Sequence, residues 1–531
     1  MSIAGKIKKI FDSEFRDEKI IYKNLKEKFS ENGELFYAGE LLKNASEKYK
    51  DQTFLFEQDR TISYKELYFR SIQLCEKFKL FGVRKRDKVL IYCQNSIEFY
   101  ASYFAAWQIG AVCVPLNIFL HEKEIAYIIN DCQPKLIFAS NNLKQNLTKL
   151  QSGEVILTEQ DINWEFKVPD SIKEVYPDFK IDKLDSDELC LLLYTSGTTG
   201  KPKGVMLSSK NIMTNALQDL ARLEIVGGLK REKFFAVLPL FHVFAQNTCI
   251  WCPLLNGSSV VIVPKIDRKL IEEGLRKKPT VFLGFPALYG LLCLIKTAPL
   301  DSIKIFISGA DALPDKIRLG FSSIYGRKIC AGYGLTEAAP VVALNEINDE
   351  QATHVVGFPF VDIECEIRDA HGNSLGRNKV GNLWLKGDNI MLGYYNAPDT
   401  TKEVLRDGWL NTGDTGILYD DGRLSITGRS KDLIIHKGFN IYPQEIENVL
   451  LTHPSVFKAA VVGIEEDSSG QVPVAYVAVK DKSDLLAKHL RDLCSQNLAA
   501  YKVPRKFVCL DDLPMNATGK VDKKQLKTEI N

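Results

Sequence analysis

Hydroxyls, glycines and lysines alternate along Tyr194-Thr195-Ser196-Gly197-Thr198-Thr199-Gly200-Lys201-Pro202-Lys203-Gly204, the densest run of chemistry in the chain. Such a run can wrap a polyphosphate: glycines let main-chain N–H groups approach the oxygens, hydroxyls donate further bonds, and ammonium groups offset the charge. It is not a Walker A loop, which needs four residues between its glycines and then Lys-Ser/Thr; here two residues separate Gly197 from Gly200, and Pro202 follows Lys201. Nor does it have the third glycine of a dinucleotide fingerprint. The competing reading is a flexible Ser/Gly/Thr linker. Against that reading, the run follows Glu188-Leu189-Cys190-Leu191-Leu192-Leu193, whose apolar continuity reads as a buried strand.

The elements that must position this loop can be read on either side. From Leu41 to Pro359 helical patterns alternate with short β-rich runs such as Lys88-Val89-Leu90-Ile91-Tyr92 and Lys304-Ile305-Phe306-Ile307. That alternation predicts parallel sheets flanked by helices. From Ile363 to Arg429 the turns Asp369-Ala370-His371-Gly372 and Asp420-Asp421-Gly422 separate alternating strands, so hairpins are expected. Residues 430–531 form a smaller unit with its own strands. The expected division is a charged extension over 1–35, a large domain over 36–429 whose last part (about 360–429) is hairpin-rich, and a cap over 430–531. In 1–35, Ile3, Ile7, Ile10 and Phe11 fall at helical spacing. The readings weighed are a solvated helix or frayed tail, and a surface-seeking amphipathic helix that would make peripheral membrane contact.

Composition narrows the function class. A chain of 531 residues is too long for one core. A hydrophobic share of 45%, a charged share of 26% and a formal charge of +2 describe an ordinary globular protein with no electrostatic footprint for nucleic acid. Twelve scattered cysteines in apolar surroundings suit reduced thiols and a cytoplasmic location. The pair Cys249-Ile250-Trp251-Cys252 has no second pair at zinc spacing and reads as core. Two stretches without Asp, Glu, Lys or Arg, Phe99 to Leu120 and Phe234 to Pro264, are long enough to span a bilayer. Both are interrupted by Gly and Pro and end in β-branched runs, so helix, turn and buried strand are expected, with no transmembrane segment.

Further motifs stand downstream in a fixed order: Pro239-Leu240-Phe241-His242, Gly332-Tyr333-Gly334-Leu335-Thr336-Glu337, Thr412-Gly413-Asp414, Gly428-Arg429-Ser430-Lys431-Asp432 and Pro514-Met515-Asn516-Ala517-Thr518-Gly519-Lys520. In order and spacing, from about Phe36 to about Leu526, the chain resembles the adenylate-forming superfamily of acyl-CoA synthetases, peptide-synthetase adenylation domains and luciferases. It is most like the long-chain fatty acid–CoA ligases. The resemblance implies a large α/β domain of two mostly parallel sheets with a small β-barrel-like subdomain, and a small mobile α+β cap. It implies ATP and coenzyme A as substrates, with Mg²⁺ accompanying ATP.

The same resemblance implies residue roles. Thr195 through Lys201 (Ser196, Gly197, Thr198, Thr199, Gly200) would hold the phosphates. Gly309, Ala310 and Asp311 would line the base pocket, and Gly332, Tyr333, Gly334, Leu335 and Thr336 would also bind the nucleotide, with Tyr333 stacked on adenine and Thr336 near the phosphates. A single carboxylate suits a Mg²⁺ that keeps its waters and bridges phosphates, and that carboxylate is Glu337, with Thr195 beside it. Asp414 would accept from the ribose hydroxyls, and Arg429 would offer a planar fork to ribose or phosphate oxygens. His242 would lie by the acyl group. Lys520, at the end of a Pro-x4-Gly-Lys frame, would place a cation between the attacking carboxylate and the α-phosphate. Lys431 would be the pivot on which the cap turns, withdrawing Lys520 and bringing Lys437, Gly438 and Phe439 to a thiol tunnel. Local alternatives exist for each: core residues for Tyr333 and His242, a turn cap for Asp414, a surface glutamate for Glu337.

The acid is read from apolar segments. Phe282-Leu283-Gly284-Phe285-Pro286-Ala287-Leu288-Tyr289-Gly290 and the approach to His242 hold no Asp or Lys to pair with an amino acid, so a hydrophobic acid is expected. The alternative is that 282–290 are ordinary core and the acid is aromatic or short. Coenzyme A is the leading thiol and an acyl-carrier protein the alternative. A catalytically silent nucleotide- or acyl-binding protein is the reading from another class.

Overall fold

The computed structural model describes residues 17–148, 155–195, 202–228, 230–346, 354–436, 439–466, 470–480, 486–515 and 520–528. Two sheets form the larger part. The first runs in the order 393–394, 203–208, 189–195, 112–115, 88–92, 136–139, 155–158. Its strands from Leu189–Thr195 to Val155–Thr158 are parallel, whereas Lys203–Ser208 returns antiparallel. The second has a parallel centre, Ile329–Gly334, Ile305–Ser308, Val281–Gly284, Lys233–Ala236, Ser259–Ile262 and Thr53–Glu57. The hairpin strands between Glu364 and Arg429 continue from it through Val355–Pro359 and Val341–Leu344.

The uncharged stretch beginning at Phe99 folds as expected into helix, turn and strand. Every residue of the helix Ile97–Gln108 is buried, which explains why its apolar residues go all the way round. Ser96 caps it by accepting from the Phe99 N–H at 3.2 Å. Val112–Pro115 then runs as a buried strand. Cys249, in a π-helical turn, and Cys252, at the start of the helix that follows, are likewise buried, and no metal-binding cluster occurs among the described residues. No helix among them is long and apolar enough to cross a membrane.

The amino-terminal segment differs from a solvated helix or frayed tail. Residues 17–28 are helical, and Glu18 is buried against Arg222 of the helix Ser209–Gly227 at 2.9 Å, with side-chain exposures of 3% and 5%. Arg222 also donates to the carbonyls of Leu344, Phe358 and Pro359. Alternating charges hid one inward-facing carboxylate whose partner lies some two hundred residues on. Ile3, Ile7, Ile10 and Phe11 lie outside the described residues.

The carboxy-terminal unit has a five-stranded sheet, built on Val456–Glu466 and Gly470–Val479, with the helices Pro443–Leu451, Leu486–Asn497 and Lys523–Thr528. Separate apolar cores cover its two faces. It meets the larger part through Lys316, whose ammonium donates to the carbonyls of Pro454 (3.1 Å) and Val456 (2.9 Å).

Candidate active site

The strand Leu189–Thr195 delivers the glycine-rich loop, and Thr195 pairs with Lys203 on the returning strand. The loop is therefore the tip of a hairpin whose base is fixed in register. Ser196, Gly197, Thr198, Thr199, Gly200 and Lys201 lie outside the described residues. A strap, residues 391–395, binds the hairpin to the next motif. The Leu392 N–H donates to the Met206 carbonyl, Tyr395 N–H to Gly204, and Met391 N–H to Glu337. The Tyr394 hydroxyl donates to Glu337 Oε1 at 2.9 Å, while its ring lies 5.2 Å beneath the Lys203 ammonium. Glu337 sits in a short turn, Thr336–Ala338, and burial raises its carboxyl pKa, against the lowering effect of its hydrogen bonds. Sequence reasoning missed Tyr394; its role is visible only through the tertiary bond to a residue 57 positions away.

Parallel neighbours bring the next groups together, with Ser308 paired to Ala331. Beyond Ser308, Gly309 is buried and Ala310 takes φ +69°, a left-handed conformation that a non-glycine residue seldom holds without local demand. Gly332 stands where a Cβ would come within 3.3 Å of Leu344, so a larger residue would press on the next strand. Tyr333 reaches across to Asp414, donating its hydroxyl to Oδ2 at 2.6 Å. Burial first, then the Asp414 charge, pushes the Tyr333 phenol well up, so it stays a donor. Arg429 Nε meets the other oxygen of Asp414 at 3.2 Å, across the paired strands Trp409–Leu418 and Leu424–Arg429. Asp414 thus accepts from Tyr333 and Arg429 in this structure. A carboxylate has about four lone-pair sites, so it retains acceptor capacity toward a diol.

His242 begins the helix Val243–Gln246, and its ring packs 4.8 Å from Phe241. Asn95, buried between the sheets, holds this approach: its side-chain amide donates to the carbonyls of Ala236, Leu238 and Val263 and its oxygen accepts from the Leu240 N–H. Asn95 was also missed. The only signal was a polar residue beside the cap of an otherwise apolar helix. His242 has solvent access through the cleft, yet protein surrounds it on most sides. That crowding, with the Lys520 charge nearby, lowers its imidazole to about 4, so the ring is neutral near pH 7.

Lys520 reaches the same cleft from the cap. Burial lowers its ammonium pKa, the Asp311 and Asp414 charges oppose this, and Arg429 and Lys431 add to it. Lys520, His242, Asp311, Asp414, Arg429 and Lys431 therefore share one electrostatic neighbourhood, and Glu337 feels Arg429 and Asp414 as well. Lys437 and Gly438, expected at a thiol tunnel, lie outside the described residues; the backbone of Phe439 opens the strand Phe439–Ile441.

The segment 282–290 divides. Phe282, Leu288 and Tyr289 belong to the core beneath the helices, where the Tyr289 hydroxyl donates to the Ile307 carbonyl at 2.8 Å. For these three residues the alternative reading, ordinary core, is the one observed. Apolar surface near His242 comes instead from Phe241 and half-buried Phe244, whose ring lies 3.2 Å from where a Cβ on Gly309 would stand.

The chain matches known proteins along most of its length. The AMP-binding enzyme family model matches residues 42–395, and the AMP-binding enzyme C-terminal domain matches 445–520. The chain is 29% identical over 529 residues to a long-chain-fatty-acid–CoA ligase of Bacillus subtilis, covering 92% of this chain and 94% of that one. It is 31% identical over 499 residues to 4-coumarate–CoA ligase 1 of Arabidopsis thaliana, covering 88% of each. Among solved structures, o-succinylbenzoate CoA synthetase of Bacillus subtilis with its acyl-adenylate intermediate superposes with a TM-score of 0.82 at 26% identity, over 93% of this chain and 99% of the other.

Proposed function

We propose that this chain, which belongs to the AMP-binding enzyme family, joins a fatty acid to coenzyme A in two steps, through an acyl-adenylate. In the first, a carboxylate oxygen attacks the α-phosphorus of ATP, the bond to the bridging oxygen breaks, and pyrophosphate leaves. In the second, the thiol displaces AMP and the thioester forms. The observation that carries the reading is the meeting of Lys520, from the cap, with Asp311, Asp414 and Arg429 of the larger part beside His242.

Each side chain has work suited to its state. Lys520 sets a desolvated cation where charge develops on phosphorus, with no proton transferred. Neutral His242 can donate an N–H to the carboxylate without competing with Lys520 for its charge. Asp414 and Arg429 hold the ribose side, and Thr195 and Thr336 stand toward the phosphates. Glu337 fits a Mg²⁺ that arrives with ATP: with one oxygen held by Tyr394, the other would be the one to hold the ion. That ion would neutralise phosphate charge. The cap, from about residue 430, is proposed to turn at Lys431 between the steps, and the protein to work in the cytoplasm.

A fatty acid is supported by Phe241 and Phe244 beside His242 and by the Bacillus subtilis relative. An aromatic acid is the second reading, favoured by the 31% identity to 4-coumarate–CoA ligase 1. The deciding experiment offers palmitate and 4-coumarate separately with Mg-ATP, giving coenzyme A or holo-acyl-carrier protein as acceptor, with Lys520→Ala as control. Palmitoyl-CoA with AMP and pyrophosphate, lost in the control, is expected. Faster turnover of 4-coumarate replaces the acid, product only with the carrier protein replaces the acceptor, and ADP in place of AMP ends the reading.

A further inference from the structure

The whole-chain charge of +2 conceals a local concentration. The helix Tyr64–Leu80 ends in Lys79-Leu80-Phe81-Gly82-Val83-Arg84-Lys85-Arg86. Leu80 is 85% exposed and Phe81 42%, yet the turn that carries them is well tied: Phe81 N–H donates to Lys77, Gly82 N–H to Lys79 and Val83 N–H to Phe78. Phe78 and Val83 anchor it, fully buried. Two adjacent apolar side chains are thus displayed on a fixed backbone, unlike the single exposed apolar residues common on any surface.

Cations ring this tip. Arg84, Lys85, Arg86 and Lys135 are exposed, and the Lys135 arm lies over Gly82, 3.5 Å from where a Cβ would stand. Arg84 gives its Nη1 to the carbonyls of Lys79 and Val83 and its backbone N–H to Asp87 Oδ2, Lys79 pairs with Glu76 at 3.2 Å, and Lys135 forms no ion pair among the described residues. Lys85 and Arg86 share one carboxylate, Glu188. The tip lies at the start of the strands Lys88–Tyr92 and Leu136–Ala139, where Lys135 N–H donates to the Lys88 carbonyl. In open parallel sheets ligands bind at the opposite, carboxyl ends.

We propose that this tip docks the protein on an anionic lipid surface, with Leu80 and Phe81 entering the headgroup layer and Arg84, Lys85, Arg86 and Lys135 facing the lipid phosphates. Apolar insertion with a basic rim is the chemistry of interfacial attachment. The cleft and the moving cap stay clear of the membrane. This assignment goes beyond the catalytic reading and does not depend on it.

The test is flotation of the full chain with phosphatidylcholine vesicles, with and without phosphatidylglycerol. Wild type is expected to float with the anionic vesicles only. Arg84→Ala with Lys135→Ala should weaken partition about 25-fold, at about fivefold for each basic residue near the surface. Leu80→Ser with Phe81→Ser should weaken it at least tenfold, and adenylation of a soluble acid by both variants at the wild-type rate shows that they fold. No flotation of wild type, equal flotation of both variants, or flotation lost only on deleting residues 1–16 overturns the assignment. So does binding of a soluble acidic carrier protein to the tip without flotation.

Discussion

Replacing Tyr394 by phenylalanine isolates one atom of the site. The ring stays in its buried place under Lys203 and the backbone pairing of the strap is untouched, so only the hydroxyl that donates to Glu337 Oε1 at 2.9 Å is lost. A hydrogen bond to an ionised group contributes about 1.5–3 kcal/mol, equivalent to about ten- to a hundredfold in an equilibrium constant. Burial already raises the Glu337 pKa and this bond opposes the rise, so its removal lifts the carboxyl further and disfavours the ionised form that a divalent cation needs. The expected result is a magnesium requirement for ATP–pyrophosphate exchange raised about tenfold or more, with the acid limb of the pH profile displaced upward. A merely structural role would lower the maximal rate and leave the magnesium midpoint alone. If Tyr394→Phe gives the wild-type magnesium curve while Glu337→Gln abolishes exchange, Tyr394 does not orient the carboxylate and the reasoning fails.

Other consequences can be checked separately. Lys316→Ala removes two bonds that hold the cap in its present position, so pyrophosphate exchange should slow about three- to tenfold while thioester formation from supplied acyl-adenylate is unchanged or faster. Glu18→Gln leaves the Arg222 charge buried without its partner and should lower the urea midpoint by the equivalent of about 3 kcal/mol, whereas Lys23→Gln, at an exposed ion pair, should not. Burial and the Glu98 charge raise Glu57 to about 7, and burial raises Asp219 to about 7. An acid whose folded pKa lies above its unfolded value gives its full contribution below the unfolded value and loses it as pH rises through the folded one. Stability should therefore fall by a few kcal/mol between about pH 4 and pH 8. Glu57→Gln and Asp219→Asn should flatten that slope in urea titrations.

What the sequence disclosed was whatever neighbouring residues decide. The apolar continuity before Thr195 foretold its strand, and the glycines and prolines inside Phe99 to Leu120 foretold a helix, turn and strand in place of a membrane span. Side-chain direction was not legible. Phe282, Leu288 and Tyr289 sit in an apolar run that suits either a pocket or a core; Phe282 is turned inward on its strand, and Leu288 and Tyr289 lie on the buried face of the helix Pro286–Ile295. Asn95 and Tyr394 lack a motif because their partners, Leu240 and Glu337, are distant in sequence. Glu18 looked like one more charge in a solvated segment until folding placed Arg222 over it.

The charges in the cleft also bear on why the cap should move. Lys520, Arg429 and Lys431 gather there with Asp311, Asp414, Asp432 and Glu337; Arg429 and Lys431 act against the Lys520 charge, and burial already disfavours the Lys520 ammonium. Without a ligand this position is electrostatically costly to Lys520. A polyanionic nucleotide relieves that cost and favours closure of the cap. Departure of pyrophosphate would take most of the negative charge away and leave an acyl-adenylate with a single phosphate charge facing the same cations. The carbonyl bonds from Lys316 and the remaining carboxylates are among the contacts that would then oppose rotation. On this reading the first reaction releases the second: the step that consumes the triphosphate also removes the charge that kept Lys520 in place.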